Sequence, residues 1–356
     1  MTAPPSASEA ALLEVRDLRV HFPVTRGTVF RRTVGQVHAV DGLSLKLGTA
    51  ETLGLVGESG SGKTTLGRAI VGLIPPTSGA ILFRGLPLDA KGATSDRADR
   101  SQIQMVFQDP TASLDPRWRV SSSIAEPLRV NHVGTRAERR ERVSDLLEVV
   151  GLSPGHARRY PHELSGGQRQ RVGLARALAL NPAVIVADEA VSALDVSIRA
   201  QVINLLQQLQ DELKLSYLFI AHDLAVVRHL SDRVAVMYLG QIVEEARAAD
   251  LYSDARHPYT VSLLSAVPVP DPSVEALRER IVLPGDPPNP ASPPAGCRFH
   301  TRCWLRERLG NPEQCVSEVP APQHVSAGHT AACHYAHEMP GKARLTAVGP
   351  TAEPAS

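Results

Sequence analysis

The chain has 356 residues, enough for one large domain with an extension or for two domains. With 43% apolar and 21% charged residues it has the composition of a globular protein that buries a sizeable core. A formal net charge of +1, no apolar run of about 18 residues and an N-terminus without basic or apolar signal regions argue against bulk nucleic-acid attraction, membrane spanning and secretion.

Residues 1–10 read as a disordered leader. LLEVRDLRVHF and VHAVDGLSLKL then alternate apolar and polar residues like two half-buried strands, and they flank the basic insertion PVTRGTVFRRTVGQ. ETLGLVGESGSGKTTLGRAIVGL reads as a buried strand, a glycine-rich turn and a helix. From Asp109 to about Pro161 the pattern turns helical, and the charge run in TRAERRERVSDLLEVVGL reads as a solvated helix face. HELSGGQRQRVGLARAL opens another helix, on a cluster of small polar residues.

NPAVIVADEA is a short buried strand ending in two acids. SIRAQVINLLQQLQDEL is an amphipathic helix, SYLFIAHD a buried strand, and VAVMYLGQIVE a strand, turn and strand. Strands alternating with helices predict an α/β fold with a largely parallel sheet. Beyond His257 prolines crowd the sequence, which predicts a linker and then a small module bearing all four cysteines, Cys297, Cys303, Cys315 and Cys333. In the reducing cytosol such clustering favours metal binding over disulfides.

GESGSGKT, from Gly57 to Thr64, fits G-x-x-x-x-G-K-[ST] between a strand and a helix. Its glycines permit a tight loop whose backbone N–H groups face phosphate oxygens. Lys63 would reach the β- and γ-phosphates and Thr64 would ligate Mg²⁺. An ordinary glycine turn is the competing reading, which the lysine and threonine in this context disfavour. VIVADE carries Asp188 and Glu189 to the C-terminal end of a buried strand, the edge where open parallel sheets bind ligands. Asp188 is suited to Mg²⁺ and Glu189 to polarising an attacking water; taken alone, the two acids could equally be solvating a strand end.

Other features are less specific. Gln108 could contact Mg²⁺ or water, or simply belong to a loop. His222 could bond a γ-phosphate, though a strand-end histidine is more often structural. Ser192-Ala193-Leu194-Asp195 reads most simply as the N-cap region of the next helix. Ser165, Gly166 and Gly167 form a donor-rich cup at the positive end of a helix, suited to a phosphate. Yet the Gly57–Thr64 loop is already a complete cradle, and one nucleotide does not need two on the same protomer.

Together the motifs resemble the ATP-binding subunits of ABC transporters. GESGSGKTT, the Q-loop Gln108, the signature LSGGQ at Leu164–Gln168, VIVADE, the D-loop SALD and the switch His222 occur in that family's order over about residues 11–256. The resemblance implies a P-loop NTPase core with a mixed sheet, an antiparallel β subdomain and a helical subdomain at about 109–180 that carries the signature. It implies ATP and Mg²⁺, with Gly57, Ser59, Gly60, Ser61, Gly62, Lys63, Thr64, Thr65 and Asp188 at the nucleotide. Glu189, His222 and Gln108 would serve catalysis, with Mg²⁺ held by Thr64, Gln108 and Asp188.

The resemblance also implies that Ser165, Gly166, Gly167, Gln168 and Asp195 complete the site of a second ATPase subunit, either a second copy or a paralogue. The adenine-stacking aromatic matches Phe22 best, against a core role for that ring, with Phe30 and His38 as rivals. Ala190 departs from the proline that many members have after the catalytic glutamate; a small effect on the loop is expected.

HPYTVSLLSAVP and LPGDPPNPASPPAGCRFHTRC further resemble the tail of ATPases serving oligopeptide, dipeptide and nickel importers, placing a C-terminal extension at 257–340 and a disordered tail at 341–356. Expected partners are two permease subunits and an extracytoplasmic solute-binding protein, with no nucleic acid, and the expected location is peripheral, on the cytoplasmic face of the membrane. By the same resemblance the four cysteines could hold a [4Fe–4S] cluster, with Zn²⁺ or unliganded thiols as alternatives. A soluble ABC ATPase of translation or DNA repair is the rival class, disfavoured by a single cassette and the lack of a sustained heptad run. A small-molecule kinase would leave LSGGQ unexplained.

Overall fold

The structure, a computed structural model, describes residues 11–26, 32–88, 94–109, 113–192, 194–267 and 280–339. The expected leader at 1–10, the tail at 341–356 and Phe30 lie outside the described residues. The chain forms two compact units: one takes the described residues within Met1–Leu18, Ser44–Leu53 and Thr64–Ala221, the other those within Arg19–Leu43, Gly54–Lys63 and His222–Ser356.

Strands β1 (Leu13–Arg26), β2 (Arg32–Leu47), β4 (Ser78–Phe83) and β5 (Leu86–Pro87) form a four-stranded sheet in the order β2-β1-β4-β5. β1 and β2 run further into the basic insertion than the sequence pattern predicts. The β-branched Val24, Thr25, Thr33 and Val34 suit an extended backbone and continue the strands. β4 pairs antiparallel with β5, Phe83 opposite Leu86.

Within the first unit β6 (Ile103–Val106), β7 (Val184–Asp188) and β8 (Ser216–Ala221) run parallel. β6 pairs with β7, Ile103 opposite Val184, and β7 pairs with β8, Val184 opposite Ser216. Every residue of β7 and β8 is buried, as a parallel strand covered on both faces requires. That explains their unbroken VIVA and YLFIA runs, and each such side chain contributes about 2 kcal/mol of apolar burial. Helix α1 (Lys63–Ile70) lies close on these strands: a Cβ on Gly67 would sit 2.9 Å from Ile220 Cδ1 and 3.0 Å from Val186 Cγ1.

After α2 (Thr94–Ser101), α3 (Val120–Val130), α4 (Arg136–Val149) and α5 (Gly166–Leu178) supply the expected helical run. α4 begins on a Thr135–Glu138 capping box and buries Val143, Leu146 and Leu147; Arg136 and Arg140 are exposed, whereas half-buried Arg142 donates to the Leu178 carbonyl oxygen at 3.3 Å. α6 (Val196–Leu213) precedes β8 and buries Val202, Leu205, Leu206 and Leu209 at helical spacing.

In the second unit the strand, turn and strand expected of VAVMYLGQIVE pair antiparallel, in line with the mixed sheet that the resemblance implies. β9 (Arg233–Tyr238) and β10 (Gln241–Arg247) form a hairpin closed by Leu239 and Gly240, both at positive φ, as a two-residue turn of matching twist requires. Helices α7 (Leu224–Leu230), α8 (Ala248–Ser253), α9 (Pro258–Ser265), α10 (Trp304–Arg308) and α11 (Gln314–Ser317) accompany it. β12 (His329–Ala331) pairs with β10, Glu244 opposite Ala331, and β11 (Gln323–Ser326) pairs with β12, so the cysteine-bearing segment is built into the same sheet. Buried Glu244 accepts the N–H groups of Arg256 and His257, the latter at 2.9 Å, and lies 2.8 Å from His329 Nε2.

Candidate functional site

The glycine-rich turn follows β3 (Thr52–Val56), whose five residues are all buried. Gly62 has a φ of +106°, and a Cβ there would sit 2.0 Å from the Ala39 carbonyl oxygen, so only glycine fits. Lys63 is buried, and its Nζ donates to the carbonyl oxygens of Gly57 at 2.7 Å and Glu58 at 2.8 Å and to Ser61 Oγ at 3.4 Å. These bonds hold the ammonium against the turn, while Ser59 and Gly60 stay exposed and Thr65 is half-buried.

Thr64, next in the chain after Lys63, donates from Oγ1 to Asp188 Oδ1 at 3.0 Å. Asp188 is the last residue of β7 and is buried. A hydroxyl and a carboxylate oxygen in contact make a hard-oxygen pair of the kind that binds Mg²⁺. Gln108, just past β6, donates from Nε2 to Glu189 Oε2 at 2.8 Å. Glu189 sits at φ +45°, in the left-handed region, and its backbone N–H donates to the Ile220 carbonyl oxygen at 2.9 Å. A non-glycine residue there costs about 1 kcal/mol or more, and such strain gathers at functional sites. Ala190 is buried just after it.

Ser165 is the N-cap of α5. Its Oγ accepts the Gln168 N–H at 3.3 Å, and Gln168 Oε1 accepts the Ser165 N–H at 3.0 Å. This reciprocal box turns the Gln168 side chain back onto the helix start. Gly166 is exposed, whereas Gly167 is buried, with its would-be Cβ 2.5 Å from Ile198 Cγ2 on α6. The second glycine therefore also permits close helix packing, a purpose the sequence did not reveal.

Asp195 stands at the N-cap position of α6, but its side chain makes no capping bond. It is exposed, and Val196 beside it is 82% exposed. The capping reading of SALD thus holds for position and fails for chemistry. His222 is exposed immediately after β8, and Asp223 caps α7 through the Ala225 N–H. Phe22 is 39% exposed on β1, which overturns the core reading of that ring. Its rival His38 bonds Asp41 at 3.3 Å and lies 4.2 Å, centroid to centroid, from His21.

Among the described residues, His21, His38 and Asp41 are the one group of three His, Cys, Asp or Glu ligand atoms lying within 4.8 Å of one another. Arg298 pairs with Asp41, and Arg19 lies 3.7 Å from it, so guanidinium charge already occupies the carboxylate. No three cysteines form such a group. A single zinc ion, with four sulfurs about 2.3 Å away, does not fit this arrangement. The zinc alternative is set aside on that ground. Burial raises all four thiols, Cys303 to about 11 and Cys333 to about 12.

Residues that sequence reasoning missed meet at Glu58. Arg302 Nη1 donates to Glu58 Oε2 at 2.9 Å, and the Tyr259 hydroxyl oxygen accepts the Glu58 N–H at 2.8 Å. No local signal links positions 244 residues apart.

Comparison with known proteins gives consistent matches. The family model "ABC transporter" matches residues 40–192, and "Oligopeptide/dipeptide transporter, C-terminal region" matches 243–308. The chain is 52% identical over 330 residues to the oligopeptide transport ATP-binding protein AppF of Bacillus subtilis, covering 92% of this chain and 98% of that one. It is 54% identical over 294 residues to OppF of Escherichia coli, an oligopeptide transport ATP-binding protein, covering 82% and 88%. A similar solved structure is the dimeric post-hydrolysis state of the ATP-binding cassette MJ0796 bound to ADP and Pi. Its TM-score is 0.58 at 27% identity, with 66% of this chain and 98% of that one covered. CbiO1 from Clostridium perfringens, part of the transporter complex cbiONQ, matches at TM-score 0.58 and 29% identity over 68% and 91%.

Proposed function

The chain belongs to the ATP-binding subunits of oligopeptide ABC transporters, and from that premise we propose that it hydrolyses ATP to energise uptake of oligopeptides or dipeptides across the cytoplasmic membrane. The observation that carries the reading is the Thr64–Asp188 contact directly after Lys63 in the chain. The match of residues 243–308 to the peptide-transporter C-terminal region favours it over a soluble ATPase of translation or repair. The relatives named for oligopeptides favour peptides over nickel.

In this reading the amides of the Gly57–Gly62 loop other than that of Glu58, which Tyr259 already takes, cradle the phosphates with Ser59 and Ser61. Lys63 neutralises their charge, and Thr65 supports the loop from α1. Thr64, Asp188 and Gln108 would hold Mg²⁺, which when bound supplies charge neutralisation at the β- and γ-phosphate oxygens. Glu189 takes a proton from the attacking water as Gln108 orients its carboxylate, and His222 bonds the γ-phosphate. Phe22, exposed on its strand, stacks on adenine.

Ser165, Gly166, Gly167, Gln168 and Asp195 complete the site of a second ATPase subunit, a reading supported by the exposure of Ser165, Asp195 and Val196. Two permease subunits and an extracytoplasmic solute-binding protein complete the system. The expected attachment is peripheral, at the cytoplasmic face; no helix among the described residues is long and apolar enough to cross a membrane. A cleft of about 250 Å³ near the Q-loop, lined by Leu73, Met105, Phe107, Pro127 and Arg176, is the proposed permease contact. Phosphate release in proteoliposomes holding the assembled transporter tests the function: it should require Mg²⁺ and rise with peptide-loaded binding protein. Turnover indifferent to both would remove the assignment.

An iron–sulfur cluster on Cys297, Cys303, Cys315 and Cys333 is a further part of the proposal. The Arg306 backbone N–H donates to the Cys303 sulfur at 3.4 Å. Such a donor suits a cluster-bound thiolate, and a multi-iron cluster holds its ligands farther apart than one ion does. Anaerobic purification with iron and sulfide analysis tests it; a chain free of both would show that the thiols serve the fold alone.

A further inference from the structure

Glu58 poses an electrostatic problem. It is the second residue of GESGSGKT, so a carboxylate stands on the loop proposed to receive the most highly charged part of a nucleotide. Left uncompensated, it would repel phosphate at short range, where the charges are only partly screened. Its side chain is 27% exposed, and that of Arg302, which meets it, only 7%. Arg302 comes from the C-terminal segment, one residue before Cys303. Its Nη1 donates to Glu58 Oε2 at 2.9 Å, and its Nε donates to the Pro284 carbonyl oxygen at 3.2 Å.

The same loop residue is held a second time through its backbone. The Glu58 N–H donates to the hydroxyl oxygen of Tyr259, a fully buried ring at the start of α9. Tyr259 packs 4.7 Å from Tyr238 and 5.4 Å from Phe299, centroid to centroid. Phe299 belongs to the same cysteine-bearing stretch as Arg302. The Trp304 indole donates to the Pro258 carbonyl oxygen at 3.1 Å, tying that stretch to the turn before Tyr259. One residue of the glycine-rich turn is thus held at its side chain and at its backbone by the C-terminal part of the chain.

We propose that Arg302 and Tyr259 are positioning residues of the nucleotide site: Arg302 neutralises Glu58, and Tyr259 fixes the backbone of the phosphate-binding loop. The C-terminal segment then sets ATP affinity without touching ATP. The proposal rests on the ATP-site reading of Gly57–Lys63, and it carries a sign that a merely structural role lacks. Loss of Arg302 harms nucleotide binding only while Glu58 keeps its charge.

The test is equilibrium binding of a fluorescent ATP analogue to the full-length chain, with thermal melting to confirm folding. Arg302→Met should weaken binding about tenfold, as one exposed like charge near the phosphates implies. Glu58→Gln should bind within about twofold of wild type or tighter, and the double variant should return to the Glu58→Gln value. Tyr259→Phe, which keeps the packed ring, should weaken binding about threefold through loss of one hydrogen bond. Arg302→Gln repeats the test should the methionine variant unfold. Wild-type affinity in the folded Arg302 variant, or a double variant as weak as the single one, overturns the proposal. Lys63→Ala separates the two readings: if it binds nucleotide normally, the ATP site itself is misassigned.

Discussion

Gln108 Nε2 donates to Glu189 Oε2 at 2.8 Å, joining a loop after β6 to a strained residue after β7 across 81 positions of sequence. The contact gives the carboxylate a fixed direction, and the left-handed backbone of Glu189 keeps it beyond the buried strand. Glu189→Gln should therefore bind ATP with little change while phosphate release falls about 100-fold or more, the contribution expected of a general base. Gln108→Ala should lower turnover by less, since the carboxylate remains. Steady-state phosphate release with analogue binding on the same preparations checks both; near-normal turnover in Glu189→Gln removes the base assignment.

The Thr64–Asp188 bond predicts a hydroxyl requirement. Thr64→Ser keeps the oxygen and should keep most of the activity. Thr64→Val keeps the shape, loses the donor and leaves buried Asp188 short of one hydrogen bond. Its turnover should fall about tenfold or more, with a higher Mg²⁺ concentration needed for half-maximal rate. A Mg²⁺ titration of both variants reads the difference.

His257 gives a pH prediction. Burial lowers its pKa from 6.5 to about 3, and its neutral ring accepts the Tyr259 N–H on Nδ1 at 3.1 Å. The unfolded chain gains that proton below about pH 6.5 and the folded chain does not. The stability this group contributes is full above the unfolded pKa and is lost as pH falls toward 3. Its share of the slope is about 1.4 kcal/mol per pH unit. His257→Asn, which retains an N-cap acceptor, should flatten the decline by about one proton in denaturant melts across that range.

Much of the site was legible because its chemistry is local. Gly62 cannot carry a side chain, Lys63 and Thr64 follow it at fixed spacing, and VIVADE announces both a doubly covered strand and its acidic end. Long-range partners were not legible. Nothing near Glu58 signals Arg302 or Tyr259, and nothing in LSGGQ reveals that Gly167 is kept small by Ile198 on another helix. The hairpin in VAVMYLGQIVE was legible, but its further partner was hidden for a related reason. β10 pairs with β12 through residues more than 80 positions apart, and alternation within a strand does not identify its neighbour. Phe22 kept a core alternative because an aromatic in a strand is ordinarily buried, whereas this one is exposed.

The Ser165 helix start is proposed to serve a nucleotide held by another subunit. Comparing Ser165→Arg with Lys63→Ala tests it most directly, reading analogue binding by the isolated chain and phosphate release by the assembled transporter. Ser165→Arg should bind nucleotide within about twofold of wild type yet lose turnover, whereas Lys63→Ala should lose both. Loss of nucleotide binding in folded Ser165→Arg, or wild-type turnover by its transporter, would overturn that assignment.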